Sequence, residues 1–331
     1  MTVKNLSLAI STASIFAMVG FFSPAYSAGK NLTVVLSEEP DIVDPCEATR
    51  SNVGRIVKQN VSETLVEIDP KDGSIKARLA TGWKQTDNLT WHFDIRKGVK
   101  FHDGEDLNAK SVVKSIKRAL NPKYDCEIRT KFFGNMSVSA SAIGSHTVAI
   151  KTKKPQPIMP ALMGTMTIVS PNTQEAKGVR NPQGTGPYVF GTWTPGQSVS
   201  LKRFAGYWGD KPVVENVKYV FRKESAVRAA MVKTGEADIA PNIAVQDATD
   251  SKMDFSYFNS ETARLRIDMS RKPLDDIRVR KAMNLAVDLD ALRGTIFAKG
   301  VVKQTQIVVP SINGHNPRLK PWPYNLKEAK K

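Results

Sequence analysis

Cysteine and histidine are both scarce in this chain of 331 residues. The two cysteines, Cys46 and Cys126, are too few for a disulfide scaffold or a four-cysteine zinc site. The four histidines form neither an H-E-x-x-H pattern nor a pair four residues apart, so we expect no protein-built metal site.

The signatures of common catalytic sites are also missing. No G-x-S-x-G turn, which would carry a nucleophilic serine, occurs in the chain. Residues 191–198 have the glycine spacing of a phosphate-binding loop, but Gln197 replaces the lysine that would reach the phosphates. This stretch is expected to be a hairpin connection. We therefore do not expect an enzyme, and we expect no cofactor.

Acidic residues are fewer than basic ones, 32 against 48, which gives a formal charge of +16. The basic residues are scattered in short groups, such as 114–118 and 151–154, a pattern that favours solvated surfaces over a nucleic-acid interface. The charge can also bias a cleft towards anionic ligands or hold the protein near an anionic membrane surface.

The one long apolar stretch lies at the amino terminus, where residues 6–22 follow Lys4 and stop before Pro24. Small residues at alternate positions then end the segment. This layout predicts a signal peptide over residues 1–27. A membrane-spanning helix is the weaker alternative, because the run is short and rich in hydroxyls. Because of the signal peptide, we expect a periplasmic protein, and an exported protein is not expected to have a nucleic-acid partner. No cysteine stands at the cleavage point, so we expect no lipid anchor.

Periodicity in the rest of the chain predicts alternating strands and helices. Strands are expected over residues 32–36 and 147–150 and at Trp91, Phe93 and Ile95, which alternate with polar residues. Helices are expected over residues 53–65, after an N-cap at Asn108, over 225–234 with Gly235 as the C-terminal cap, and over 278–286. Such interleaving indicates an α/β or mixed α+β class.

Several motifs occur in a fixed order along the chain. They include LATGW at 79–83, LTWHF at 89–93, RKGVKFHDG at 96–104, GTGPY at 184–188 and YWG at 207–209. With these motifs in this order, the chain resembles the family 5 extracytoplasmic solute-binding proteins over nearly all of residues 30–331. These are the peptide, dipeptide, glutathione and nickel binders of ABC importers.

The resemblance implies a clamshell of the periplasmic binding protein type with an extra subdomain. Its first lobe would combine residues 28–74 and 184–261, around an inserted middle subdomain over 75–183. The second lobe would begin at residue 262. Because family members run well past the equivalent of residue 331, this lobe is expected to be truncated and largely missing. Ligand would bind between the lobes, and hinge closure would bury it.

Four residues are candidates for ligand contact by the same resemblance. In the loop after the first strand, Thr49 would hydrogen-bond a peptide backbone and Arg50 would pair with a carboxylate. In a cleft-facing segment of the middle subdomain, Arg129 would meet an anionic group and Phe132 would form an apolar wall. The alternative for each is a surface residue that touches no ligand.

The resemblance also draws attention to a turn and to the two cysteines. Gly184 and Gly186 would permit a sharp change of chain direction, as a hinge or turn, and Pro187 would fix the chain after it. Cys46 and Cys126 lie in the same two segments as the ligand candidates. In an oxidising compartment they would form a disulfide between the first lobe and the middle subdomain, with two unpaired thiols as the open alternative.

These observations predict a monomeric solute-binding component of an ABC importer. It would capture peptides or similar small solutes and deliver them to an inner-membrane permease and its ATPase. One alternative is a truncated remnant that cannot close on ligand, and another is an exported basic protein that binds anionic polymers. The sequence does not name the solute.

Overall fold

The computed structural model describes residues 30–176, 178–255, 262–310, 312 and 314–331. The predicted signal peptide, residues 1–27, lies outside the described residues. Over the described residues the chain forms ten strands: β1 (Asn31–Leu36), β2 (Val66–Ile68), β3 (Ile75–Ala77), β4 (Ala80–Asp87), β5 (Thr90–Ile95), β6 (Val138–Ala142), β7 (Thr147–Thr152), β8 (Tyr188–Thr194), β9 (Ser198–Arg203) and β10 (Asn216–Phe221).

Six α-helices separate these strands or follow them in the described part of the chain. They are α1 (Ser51–Val57), α2 (Ala109–Leu120), α3 (Met159–Met163), α4 (Ser225–Thr234), α5 (Ile277–Ala286) and α6 (Leu326–Ala329). Short 3-10 turns occupy Pro45–Glu47 and Pro122–Tyr124, and a π-helical turn occupies Arg129–Phe133. The mixed α/β class predicted from the sequence is confirmed.

The first sheet joins strands that lie far apart in sequence. Its order is β1-β10-β9-β8, with β1 parallel to β10 and the other pairs antiparallel. Helix α1 packs on this sheet and buries Val53, Ile56 and Val57 in a core shared with Tyr188 and Tyr219. One core is therefore built from two parts of the chain, β1 with α1 and β8 to β10, which are separated in sequence by the second sheet. The lobe boundaries given above stay a prediction.

The second sheet has the order β4-β5-β7-β6 and is antiparallel throughout. Strand β5 follows the predicted alternation over its second half, where Phe93 and Ile95 are buried and Asp94 is exposed, whereas Trp91 and His92 are both half-buried. Helix α2 lies against β6 and β7 and buries Val112 and Ile116. A large apolar core results between the helix and the sheet.

Helix α2 begins where the sequence predicts. The Asn108 side chain accepts hydrogen bonds from the backbone N–H groups of Lys110 and Ser111, at 2.9 and 3.1 Å. The Ser111 hydroxyl in turn accepts from the Asn108 N–H at 2.9 Å, which completes a capping box. The predicted cap of α4 is present as well, because Gly235 has φ of 78° at its end.

The helix predicted over residues 53–65 is wrong in its second half. Helix α1 ends at Val57, Lys58 is extended, and Gln59 has a positive φ of 62°. Val61 and Leu65 are fully buried nonetheless. Their spacing reflects burial after a chain reversal and not a continuous helical face, which periodicity alone cannot distinguish.

Apolar side chains after residue 262 are mostly exposed. Helices α5 and α6 pack against each other, and the Asn325 N–H donates to the Leu285 carbonyl at 2.8 Å. Among the described residues of this stretch, Val309 is the one buried hydrophobic side chain, whereas Leu265 is 81% exposed and Ile296 is 70% exposed. The stretch thus adds little to either core.

Candidate functional site

Two segments that carry the predicted ligand residues lie side by side in the structure. The loop after β1 and the segment after α2 are joined by a disulfide between Cys46 and Cys126, whose Cα atoms are 5.0 Å apart. Three residues further along the loop, the Thr49 hydroxyl donates a hydrogen bond to the Glu127 carboxylate. Residues separated by about a quarter of the chain thus form one local surface.

Arg50 is surrounded by carboxylates of the protein itself. Its guanidinium lies 3.1 Å from Asp41, 3.1 Å from Glu47 and 4.0 Å from Glu127. A ligand carboxylate at Arg50 would have to compete with these three groups, which already neutralise its charge. Asp41 and Glu47 are close to Arg50 in sequence, but the approach of Glu127 could not be predicted, because Glu127 lies far along the chain.

The two glutamates of this cluster respond differently to their surroundings. Burial raises the pKa of Glu47, and the nearby Glu127 charge raises it further, against the opposing effect of Arg50. Burial also works to raise the pKa of Glu127, but hydrogen bonds from Lys131 and Thr49 outweigh it, and the pKa of Glu127 is lowered. The surroundings therefore favour the charged form of Glu127 and disfavour that of Glu47.

Arg129 and Phe132 lie in the π-helical turn that follows Glu127. The Nε atom of Arg129 is buried and has no hydrogen-bond partner among the described residues. Phe132 is 39% exposed although it is large and apolar. The unpartnered nitrogen of Arg129 is a donor that an anionic group would satisfy, and Phe132, three residues further along the chain, is an exposed apolar side chain.

A buried ion pair fixes the loop beneath this surface. Arg118 in α2 donates to both carboxylate oxygens of Asp44, at 3.2 and 2.8 Å, and both side chains are almost fully buried. Asp44 also accepts from the backbone N–H groups of Cys46 and Val179, at 2.9 and 3.1 Å. The carboxylate therefore has a full set of partners, and breaking the pair would leave a buried charge uncompensated.

Gly184 and Gly186 lie where two chain segments approach each other closely. Neither has a positive φ; their chain runs so close to Asn60 and Val61 that a Cβ on Gly184 would lie 1.9 Å from the Val61 carbonyl oxygen. The Gly186 N–H donates to that carbonyl, and the N–H of Tyr188 beyond Pro187 donates to the Asn60 carbonyl, both at 2.9 Å. The motif is a tight backbone junction, and its role as a hinge stays a prediction.

His102 joins this glycine segment to the second sheet's subdomain. Its Nε2 lies 2.9 Å from the Gly186 carbonyl, and its Nδ1 accepts from the Gly184 N–H at 3.4 Å. The pattern assigns the proton of a neutral imidazole to Nε2. Burial lowers the pKa of His102, in keeping with the neutral form.

Glu63 is a buried charged residue with several hydrogen-bond partners, and it was not predicted from the sequence. This fully buried carboxylate accepts hydrogen bonds from Arg78 at 2.7 Å, Thr185 at 2.8 Å, Tyr207 at 3.1 Å and Trp208 at 2.9 Å. Its one sequence signal is a lone acid between the apolar residues Val61 and Leu65. Because every acceptor site is occupied, its role is to hold segments together and not to bind a ligand.

Neither a metal-ligand cluster nor a membrane-spanning helix occurs in the described part of the chain. No three His, Cys, Asp or Glu side chains there are grouped as metal ligands would be. None of the helices there combines the length and the apolar character needed to cross a bilayer.

A family comparison identifies relatives of the chain. Residues 74–331 match the family model described as bacterial extracellular solute-binding proteins, family 5 middle. The glutathione-binding proteins GsiB of Salmonella typhimurium and Escherichia coli K12 are each 30% identical to this chain over 315 residues. These alignments cover 92% of this chain and 60% of the relatives. The chain therefore spans about 60% of the length of the curated relatives it matches.

Solved structures agree in fold. The ABC transporter-associated periplasmic binding protein DppA from Helicobacter pylori, in complex with the peptide STSA, superposes with a TM-score of 0.73 at 23% identity. That alignment covers 91% of this chain and 65% of DppA. NikZ from Campylobacter jejuni, in complex with Ni(L-His), has a TM-score of 0.66 at 25% identity, covering 79% of this chain and 54% of NikZ.

Proposed function

Because this chain belongs to the family 5 bacterial extracellular solute-binding proteins, we propose that it is the solute-capturing component of an ABC importer. Its ligands are peptides or similar small solutes, which it binds without altering them. It is exported by residues 1–27 to the periplasm, works as a monomer, and delivers ligand to a membrane permease that is coupled to an ATPase.

The observation that carries this proposal is the 30% identity to glutathione-binding proteins over 315 residues. Glutathione is itself a small peptide with two carboxylates and one amine. The chain's positive charge is compatible with such a ligand, because a basic cleft attracts anions.

The proposed mechanism uses the lobes expected from the sequence. Residues 28–74 and 184–261 form the first lobe, 75–183 form the middle subdomain, and 262–331 begin the second lobe. Ligand lies on the surface formed by the two disulfide-linked segments and is covered as the lobes close.

Within that surface, we assign the ligand carboxylate to Arg129 and not to Arg50. Arg129 has a buried nitrogen without a partner, whereas Arg50 already faces three carboxylates. Phe132 supplies the apolar wall beside it. Thr49 is engaged by Glu127 through its proton, so its hydroxyl oxygen is the part that can accept from a peptide N–H.

Thermal unfolding with a panel of glutathione, short peptides and nickel–histidine tests the proposal. A ligand at about 100 times its Kd stabilises the folded state by about 2.7 kcal/mol and raises Tm by several degrees. Arg129→Gln should abolish the shift, while Arg222→Gln, which removes an exposed arginine, should retain it. Loss of the shift with Arg50→Gln but not with Arg129→Gln would reverse the assignment.

The alternative is that the chain folds but has no solute-binding activity, because its lobes cannot close around a ligand. The observation that favours it is the low burial of apolar side chains after residue 262. It predicts no ligand-dependent change in Tm for any member of the panel, together with strong binding of a fluorescent dye to exposed apolar surface.

A further inference from the structure

The positive charge of the chain is concentrated in one part of it. Residues 75–183 contain 18 basic and 8 acidic residues, a formal charge of +10 out of +16 for the whole chain. A third of the sequence thus carries most of the net charge. The proposed ligand surface accounts for few of these side chains.

Helix α2 presents three of these charges on a single face, which we call the lysine face: Lys110, Lys114 and Lys117. Their spacing of four and three residues puts them on one side of the helix, and all three are exposed. The opposite side, with Val112 and Ile116, is buried against the sheet. The lysine face therefore points away from the core, and the opposite face of the helix packs against the sheet.

In the part of the chain that the structure describes, no carboxylate forms an ion pair with the lysine face. Helix α2 contains no acidic residue, and none of its three exposed lysines has an ion-pair partner within the described ranges. Elsewhere in the same subdomain, Lys100 is paired with Asp106 and Lys131 with Glu127, each at 2.8 Å or less. Like charges four residues apart on a helix destabilise it slightly, so an uncompensated row has a cost that an external anion would relieve.

We propose that the lysine face docks the protein on an anionic phospholipid bilayer. Three ammonium groups spread over about 10 Å of helix match a dense planar array of headgroup phosphates. Val113, the apolar side chain between these lysines, is half-buried and packs against the core, so the contact is electrostatic and peripheral, without insertion. This surface lies in the middle subdomain and goes beyond solute capture, since it would hold the receptor near the membrane in which a permease resides.

The test is co-sedimentation of the full chain with vesicles of phosphatidylglycerol and phosphatidylcholine, compared with phosphatidylcholine alone. The wild type should bind the anionic vesicles and not the neutral ones, and added salt should weaken binding. A triple variant of the lysine face, Lys110→Gln, Lys114→Gln and Lys117→Gln, should bind roughly tenfold more weakly or worse.

A matched control removes the same charge from the other sheet's region, with Lys202→Gln, Lys218→Gln and Lys233→Gln, all exposed positions. Its vesicle binding should stay within about twofold of wild type, because Debye screening confines the effect to charges near the bilayer. Equal loss in both triple variants would overturn the proposal, since net charge would then suffice.

Soluble polyphosphate provides a second comparison. If the protein binds polyphosphate through the lysine face as tightly as it binds anionic vesicles, the proposal is overturned, because a bilayer would not be the preferred partner. Glutamine matches lysine closely in helix propensity, so the variant should fold. If it does not, the single variant Lys114→Glu gives the same comparison, and retention of wild-type vesicle binding by it would contradict the proposal.

Discussion

The disulfide between Cys46 and Cys126 offers the sharpest test of how the two candidate ligand segments are held together. The double variant Cys46→Ala with Cys126→Ala removes a link between residues 80 apart in sequence. In the chain-entropy treatment, a closed loop of that length stabilises the folded state by about 4.5 kcal/mol. We expect the variant to lose about 3–5 kcal/mol of unfolding free energy.

Guanidinium denaturation followed by tryptophan fluorescence measures this loss. The wild type should unfold at lower denaturant after reduction in the unfolded state, and its curve should approach that of the double variant. The variant itself should not respond to reductant, which is the internal control. Coincident curves for the oxidised wild type and the variant would show that the disulfide does not stabilise the fold. Two alkylatable thiols in the unreduced, unfolded wild type would show that it does not form.

Three other predictions concern buried groups near the junction of the two sheets. Burial lowers the pKa of His102 below its ordinary 6.5, so the unfolded chain binds the proton more readily. Unfolding free energy should therefore fall as pH drops below 6.5, and His102→Gln should flatten that dependence in denaturation midpoints; an unchanged slope would assign the loss to other groups. Burial and the charge of Glu63 raise the pKa of Tyr207 to about 12. Glu63→Gln should lower that pKa in a spectrophotometric titration and cost about 3–5 kcal/mol of stability, because a buried ion pair loses one partner; a titration identical to wild type would contradict the contact. Gly186→Ala should prevent stable folding, since its Cβ would lie 2.3 Å from a backbone carbonyl oxygen, whereas Gly144→Ala, with open space around it, should be tolerated in a thermal melt.

Local signals explain what could be predicted from the sequence. The start of α2 depends on Asn108 and its own helix, and the end of α4 depends on the freedom of Gly235. The alternation in β5 reports one buried face directly. Each of these features is set by residues within a few positions, and each was found at the expected place.

Contacts between distant segments explain what could not be predicted. Helix α1 stops early because the chain turns at Gln59, although the apolar spacing continues. The partners of Glu63 come from three other segments, and Arg50 is paired with Glu127 from across the disulfide. A single sequence does not encode such pairings in any local pattern, so the charge balance around Arg50 could not be predicted from it.

Binding of a small solute without chemical change is the property that defines the proposed function. It can be measured by equilibrium dialysis against glutathione and short peptides, followed by mass spectrometry of the recovered ligand. We expect saturable binding of one solute per chain and recovery of that solute with its mass unchanged. A folded protein that binds no member of the panel, or a ligand returned cleaved or modified, would contradict it.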